Sequence, residues 1–474
     1  MPNIDPSAAI SHPPGRWKIP AAPWISRTKV QHLFDTDPWT GLFGKNITLA
    51  AAYLWCFLVT WPVSVVELAG VPLLVCTLLR MHRNWRYIPS ILLQPLPIAA
   101  SIFGLVQLAS GLWTLDHRQW VEQAGAMRWL WSLFVLWPLI QHRRGFIIAL
   151  TLGALVGNCT QLSQFLHTSL GWPTPTWPRA PDRYSGWWPP VVCGTILTAV
   201  LGLHLPSIFF ATTTRERVFA ASAATLTLVC IFASGTRGAW LAALGLITLT
   251  TLTAIIAHWR RPSIHAQGRS SRTTLLLIAA GTIALLVTGG IVWGKLGGSI
   301  SRRYDLARDE IRAALNTGEY RTDTGARIGM AIWAIEHFRE HPIRGVGAGS
   351  YRPATQALLA ARGVDPSRQA VHDHAHNAIL QIAATTGLLG LLPALSVVLL
   401  AFANAFGLGR ERAPGLGAYE WGPLCALTGL ALISLFDPVH INAQTSALLA
   451  LILSLCPSFI PPPSQPAPPA CPAS

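Results

Sequence analysis

Val191-Val-Cys-Gly-Thr-Ile-Leu-Thr-Ala-Val-Leu-Gly-Leu-His-Leu-Pro-Ser-Ile-Phe-Phe210 runs for twenty residues without a charged side chain. An α-helix of that length spans the hydrocarbon core of a bilayer, and only a helix or a closed barrel satisfies its backbone there. Comparable runs recur on both sides of it. Before it lie Gly44–Trp61, Val63–Leu79, Ile88–Trp113, Val121–Ile140 and Phe146–Leu166. After it come Val218–Ala233, Ala239–Ala257, Thr274–Trp293, Ala378–Phe406, Ala418–Phe436 and Ala443–Phe459. The pattern predicts an all-α polytopic membrane protein with about twelve spans.

Composition agrees. Of the 474 residues 51% are hydrophobic and 12% charged, and the mean hydropathy is +0.42. The net charge of +15 is scattered between apolar runs rather than gathered in a basic domain, so nucleic acid is not expected as a partner. Arg80, Arg83 and Arg86, then Arg143 and Arg144, Arg215 and Arg217, Arg260, Arg261, Arg269 and Arg272, and finally Arg410 and Arg412 fall in alternate loops. That is the positive-inside pattern, and it places these loops and both termini in the cytoplasm.

The resulting organisation is a cytoplasmic segment 1–43, spans one to nine over 44–294, an exported loop 295–375, spans ten to twelve over 376–459, and a proline-rich cytoplasmic tail 460–474. The opening segment is polar and proline-bearing, unlike a signal peptide, so the first span is expected to remain as an anchor. Cys56, Cys76, Cys159, Cys193, Cys230, Cys425 and Cys456 lie in or beside spans, which implies no disulfide scaffold in the exported loop.

Polar chemistry gathers on the exported side. Arg183 precedes the sixth span, Arg237 sits in Ser234-Gly-Thr-Arg-Gly-Ala-Trp240 between spans seven and eight, and His376 opens the tenth after His372, Asp373 and His374. Arginine at a membrane boundary suits phosphate recognition, because its planar fork bonds two oxygens and its charge persists. The bland alternatives are arginines snorkelling to lipid phosphates and tryptophans forming an interfacial belt. Within the loop, 324–339 predicts a helix with Ile328, Ile332, Ile335 and Phe338 on one stripe, capped by Asp323 or Thr324 and holding Arg327 in its first turn. Arg344-Gly-Val-Gly-Ala-Gly-Ser350 then resembles a phosphate loop only superficially, since it lacks the Gly-Lys-Ser/Thr ending. His372, His374 and His376 alternate as a metal-binding segment can, but no carboxylate or thiolate cluster completes a site in the sequence, so no metal is expected.

Three stretches together resemble the O-antigen ligase family, which shares a domain with O-antigen polymerases and some bacterial protein O-oligosaccharyltransferases. They are Ser234-Gly-Thr-Arg-Gly-Ala-Trp240, Arg327 through Trp333 to Pro342-Ile-Arg-Gly-Val-Gly347, and His376-Asn377 followed by Gly387-Leu-Leu-Gly390. They cover the second half of the chain. The resemblance implies a GT-C-like glycosyltransferase of the bacterial inner membrane, working on the periplasmic face without metal or cofactor. Its donor would be a glycan on undecaprenyl pyrophosphate and its acceptor the lipid A-core oligosaccharide, with membrane lipids around both. Arg183 and Arg237 would bind the pyrophosphate and His376 would act as general base; Arg327, Arg344, His374 and Asn377 would contact substrate. Polymerase and protein transferase activities stay open. A lipid-linked glycan transporter is the alternative of another class, disfavoured because the spans carry almost no charge apart from Glu67.

Overall fold

The computed structural model describes residues 45–81, 88, 94–136, 139, 142–173, 183–260, 305–306, 308–316, 318, 320–365, 369–406 and 418–456. Among these residues there is no strand. The helices are α1 (Lys45–Leu58), α2 (Val63–Leu79), α3 (Pro95–Ala109), α4 (His117–Gly125), α5 (Ser132–Leu136), α6 (Arg143–Leu170) and α7 (Pro190–Phe210). There follow α8 (Thr214–Ala233), α9 (Arg237–Arg260), α10 (Asp323–Glu340), α11 (Tyr351–Ala361), α12 (Ala378–Phe406), α13 (Ala418–Ile433) and α14 (Ala443–Leu455). Six are long and apolar enough to cross a membrane: α3 with its 3-10 extension to Leu112, then α6, α7, α8, α9 and α12. Helices α1, α2, α13 and α14 are shorter apolar helices.

Two expectations are altered or left aside. The stretch Val121–Ile140 is not one helix: α4 gives way to a 3-10 turn over Ala126–Trp131 and then to the five-residue α5. The physical reason is polarity, because His117, Arg118, Gln119, Glu122 and Gln123 make α4 a helix for the bundle end rather than its interior. The expected span Thr274–Trp293 lies outside the described residues.

Helix α7 is the axis of the bundle, buried from Val192 to Ser207 and packed against α8, α9 and α13. The outer helices expose their apolar flanks, with Leu68 and Leu78 on α2, Leu105 on α3, Leu241 on α9 and Leu399 on α12. In water such flanks would be costly; in lipid they are the expected surface.

The bundle segregates its two ends. Arg80, Arg143, Arg144 and Arg217 lie at one, where Arg144 pairs with Glu216 at 2.8 Å. The other end collects the turns at 60–62, 183–189, 234–236, 374–377 and 434–442, cross-linked by Trp188 Nε1 donating to the Thr60 carbonyl, Gln444 Nε2 to Thr60 and Trp61, and Tyr184 N to Ala233. Alternation of helix direction therefore separates the basic loops from Arg183, Arg237, His374, His376 and Asn377.

Helix α12 is broken at Gly387 (φ 58°, ψ −153°). A broken helix frees backbone groups, which inside a membrane protein need partners from protein. The glycine-rich turn supplies them: Val346 N and Gly347 N donate to Ala384 O and Thr385 O, while Leu388 N and Leu389 N donate to Pro342 O and Ile343 O. Gly345 (φ 64°) and Gly387 both sit where a Cβ would strike the opposing backbone. The turn that superficially resembles a phosphate loop is thus a backbone clasp for α12. It also docks on the α3–α4 connection, through Thr114 Oγ1 to Ala348 O at 2.7 Å and Gly349 N to Gln123 Oε1 at 3.1 Å.

Candidate active site

The segment entering α12 is held by the end of α13. Ala378 N donates to Ser434 O at 2.7 Å and Asn377 Nδ2 to Leu435 O at 3.1 Å. Asn377 Oδ1 also accepts from Leu380 N at 3.0 Å, capping the first turn of α12. One residue earlier, His376 adopts φ 49°, and it is the one non-glycine residue with positive φ among those described. Such a backbone costs free energy and persists only where neighbours impose it. Here they do: Gln381, fully buried, accepts from Ala375 N at 2.9 Å, and Asn377 is pinned on the other side.

The constrained histidine meets a carboxylate. Asp437 follows α13, and its Oδ1 lies 3.3 Å from His376 Nδ1 and 3.5 Å from His374 Nε2. The His374 and His376 rings are 4.3 Å apart, and His372 stands 5.4 Å from His376. Burial pushes the Asp437 carboxyl up, but hydrogen bonds and charge from His374 and His376 outweigh it and hold it at about 2. His440, buried three residues on, is lowered to about 4 by burial, against the opposing pull of Asp437. With Nδ1 turned to Asp437, Nε2 of His376 is left to accept a proton, an assignment that rests on the carboxylate contact.

The two predicted arginines lie on two segments tied together at the same end. Tyr184 N donates to Ala233 O, Arg183 Nε to Ser234 O at 3.4 Å, and Thr236 Oγ1 to Pro190 O at 2.7 Å, so the lead-in to α7 is tied to the α8–α9 turn. Gly235 (φ 65°) lies under Arg183; a Cβ there would stand 3.0 Å from Arg183 Cγ. Arg237, exposed, opens α9 beside it. The next residue, Gly238, packs on Phe436, where a Cβ would stand 2.9 Å from Phe436 Cβ. Phe436 immediately precedes Asp437. The arginine turn and the histidine–aspartate cluster are therefore joined through one residue.

The remaining expected contacts are dispersed. Arg327 is exposed on the first turn of α10, whose cap is Thr322, accepting from Gly325 N at 3.1 Å, rather than Asp323 or Thr324. Arg344 is exposed in the clasp, its carbonyl accepting from Trp113 Nε1 at 3.2 Å, and no described contact ties it to the Asp437 cluster. Asp373 pairs with Arg352 at 3.2 Å. Beneath the cluster lies an apolar cavity of about 230 Å³, lined by Phe103, Met127, Ala378, Ile382, Leu391 and His440 among others.

Asp437 is the residue that sequence reasoning missed. It sits in Phe436-Asp-Pro-Val-His-Ile-Asn442, a short polar break between apolar runs, and a lone acid in a loop carries little signal. With Asp373 paired to Arg352, it is Asp437 that supplies a carboxylate to the histidines, so His374, His376 and Asp437 form a three-ligand set with metal-binding atoms within 4.8 Å of one another.

Residues 222–395 match the family described as O-Antigen ligase. The matched region contains the arginine turn, α9, α10, α11 and the clasped start of α12, while Arg183 and Asp437 lie outside it. The match covers that segment alone, and it is to O-antigen ligases that the segment is similar. No curated protein matches the chain.

Proposed function

We propose, starting from the O-antigen ligase domain of residues 222–395, that this protein transfers a glycan from undecaprenyl pyrophosphate to a hydroxyl of the lipid A-core oligosaccharide at the periplasmic face of the inner membrane. The observation that supports the reading is the tie of Arg183 to the turn before Arg237, and the packing of Gly238 in that region on Phe436, next to Asp437 and His376. A cation pair beside a base is what displacement of a pyrophosphate by an alcohol needs.

The step runs as a direct displacement. The acceptor oxygen forms a bond to the anomeric carbon while its proton passes to Nε2 of His376. The bond from that carbon to the pyrophosphate oxygen breaks, and the electron pair leaves with the lipid carrier. Arg183 and Arg237 bind the negative charge that grows on the leaving group. Asp437 stabilises the imidazolium formed at His376 and fixes its ring through Nδ1, a positioning role by the logic of nucleophile–base–carboxylate triads. One displacement inverts the anomeric centre. The apolar cavity under Ala378 offers room for a hydrocarbon chain next to the reacting groups.

Purified protein, a lipid-linked glycan and rough lipopolysaccharide, with no energy source, test the reading. A ladder on the lipopolysaccharide supports the ligase. Chain growth on the lipid carrier assigns the same site to a polymerase, and no transfer to any acceptor counts against glycosyl transfer.

A further inference from the structure

We propose that His374, His376 and Asp437 form a binding site for a divalent transition ion of the zinc class, and that its occupancy switches the enzyme off. The inhibitory half rests on the glycosyl-transfer reading; the binding half does not.

The distances carry the argument. Charge-assisted hydrogen bonds between nitrogen and carboxylate oxygen run to about 2.7–2.9 Å, whereas Asp437 Oδ1 lies 3.3 Å from His376 Nδ1 and 3.5 Å from His374 Nε2. Ligands bound at about 2.0–2.1 Å to a tetrahedral ion stand about 3.3–3.4 Å apart along each edge. The two contacts are thus long for hydrogen bonds and close to the edge length of a metal tetrahedron. All three ligand atoms lie within 4.8 Å of one another, so small side-chain rotations bring them around one ion.

The donor set selects the ion. Two imidazoles and one carboxylate suit zinc and its neighbours, while Mg²⁺ and Ca²⁺ prefer oxygen throughout. Three protein ligands leave the fourth position open, the arrangement of accessible rather than structural zinc sites. The frame is preorganised: His376 is locked at φ 49° between Gln381 and Asn377, and Asn377 is bonded to Leu435, two residues before Asp437. A bound ion would take the Asp437 oxygen and the Nδ1 of His376, removing the carboxylate that positions the ring and placing positive charge where the imidazolium must form.

The experiment uses tag-free, full-length protein in detergent, titrated with ZnCl₂ by calorimetry and with CoCl₂ by visible absorption. The expected result is one ion per chain, with tetrahedral cobalt bands, and no binding of MgCl₂ at the same concentration. His374→Ala and Asp437→Asn should each weaken zinc binding by about 10–100-fold or more, with circular dichroism confirming that both fold. His372→Ala should bind as the parent does, because His372 is outside the ligand set. Glycan transfer should fall in step with zinc occupancy and return on adding EDTA. Absence of stoichiometric zinc binding, or binding undiminished in a folded Asp437→Asn protein, overturns the site. Binding without inhibition overturns the switch alone. Binding by a protein inactive on every glycan acceptor keeps the site and sinks the transfer reading.

Discussion

Nδ1 of His376 lies 3.3 Å from Oδ1 of Asp437, across the gap between the start of α12 and the end of α13. Sixty residues of chain separate the two, yet a backbone bond from Ala378 to Ser434 and a side-chain bond from Asn377 to Leu435 hold the segments that carry them. The contact gives the histidine a direction as well as a partner.

Removing either member should therefore be read in kcat. His376→Ala abolishes general-base catalysis, worth about 10²–10⁴-fold. Asp437→Asn keeps the shape but no longer stabilises the imidazolium, and a loss of about 100-fold is expected on the same scale. The pH profile separates the two roles. The Asp437 carboxyl is held at about 2, below its ordinary 3.8, so it stays ionised from pH 5 to 8 and contributes no inflection there. An inflection in that window therefore belongs to a group other than Asp437. Unchanged profiles with full kcat in both variants would remove the dyad from the mechanism.

The arginine turn predicts a geometric dependence. Arg237→Lys retains the charge and loses the two-pronged fork, so activity should drop by about tenfold or more while the protein folds normally. Gly235→Ala acts on Arg183 without touching its charge. The residue sits at φ 65° and its new methyl would stand 3.0 Å from Arg183 Cγ. Raised KM for the lipid-linked donor is the expected signature, and an unaltered KM in Gly235→Ala would detach Arg183 from donor binding.

Much of this architecture is legible in the sequence because apolar periodicity and loop charge are local signals. Val63–Leu79 is an apolar run and the same residues form α2; Arg183, Arg237 and His376 announce themselves by standing at span ends. Asp437 is not legible, since its meaning lies in a pairing with a residue far along the chain. The clasp misleads for a related reason. Gly345, Gly347 and Gly349 look like a loop for an anion until α12 is seen to break at Gly387 and accept backbone bonds from Val346 and Gly347. Val121–Ile140 misleads through averaging, because the polar α4 hides behind the tryptophans and leucines that follow it.

Acid should destabilise the fold in a defined window. His440 and His337 are buried and both held at about 4, below the ordinary 6.5. Burial is the first cause in each. A histidine with a lowered folded value takes up its proton on unfolding, so stability is complete above about 6.5 and declines as pH falls towards 4. Each shift corresponds to a loss on the order of 3 kcal/mol at most. Thermal melts between pH 7 and 4 should fall steeply for the parent and less steeply for His337→Gln, which keeps a donor for Thr355, the present partner of His337 Nε2 at 2.9 Å. Parallel curves would show that His337 is not a titrating contributor.

Metal independence of the chemical step has its own test. Arginines supply the charge and His376 the base, so transfer should persist in EDTA. Activity lost on chelation and restored by added Mg²⁺ or Mn²⁺ would contradict the arginine assignment.

The clasp predicts that Gly387 of α12 is structural. Gly387 occupies φ 58°, ψ −153°, and its methyl would collide with the Ile343 carbonyl, a backbone group that cannot rotate aside. Backbone strain of that kind costs about 1–3 kcal/mol before the collision is counted. Gly387→Ala should therefore separate the clasp from α12, releasing four backbone hydrogen bonds together. The expected outcome is a lower melting temperature and new protease cuts between 341 and 350. Parent-like melting and unchanged protease cutting in Gly387→Ala would mean that the break at Gly387 is not held by the clasp.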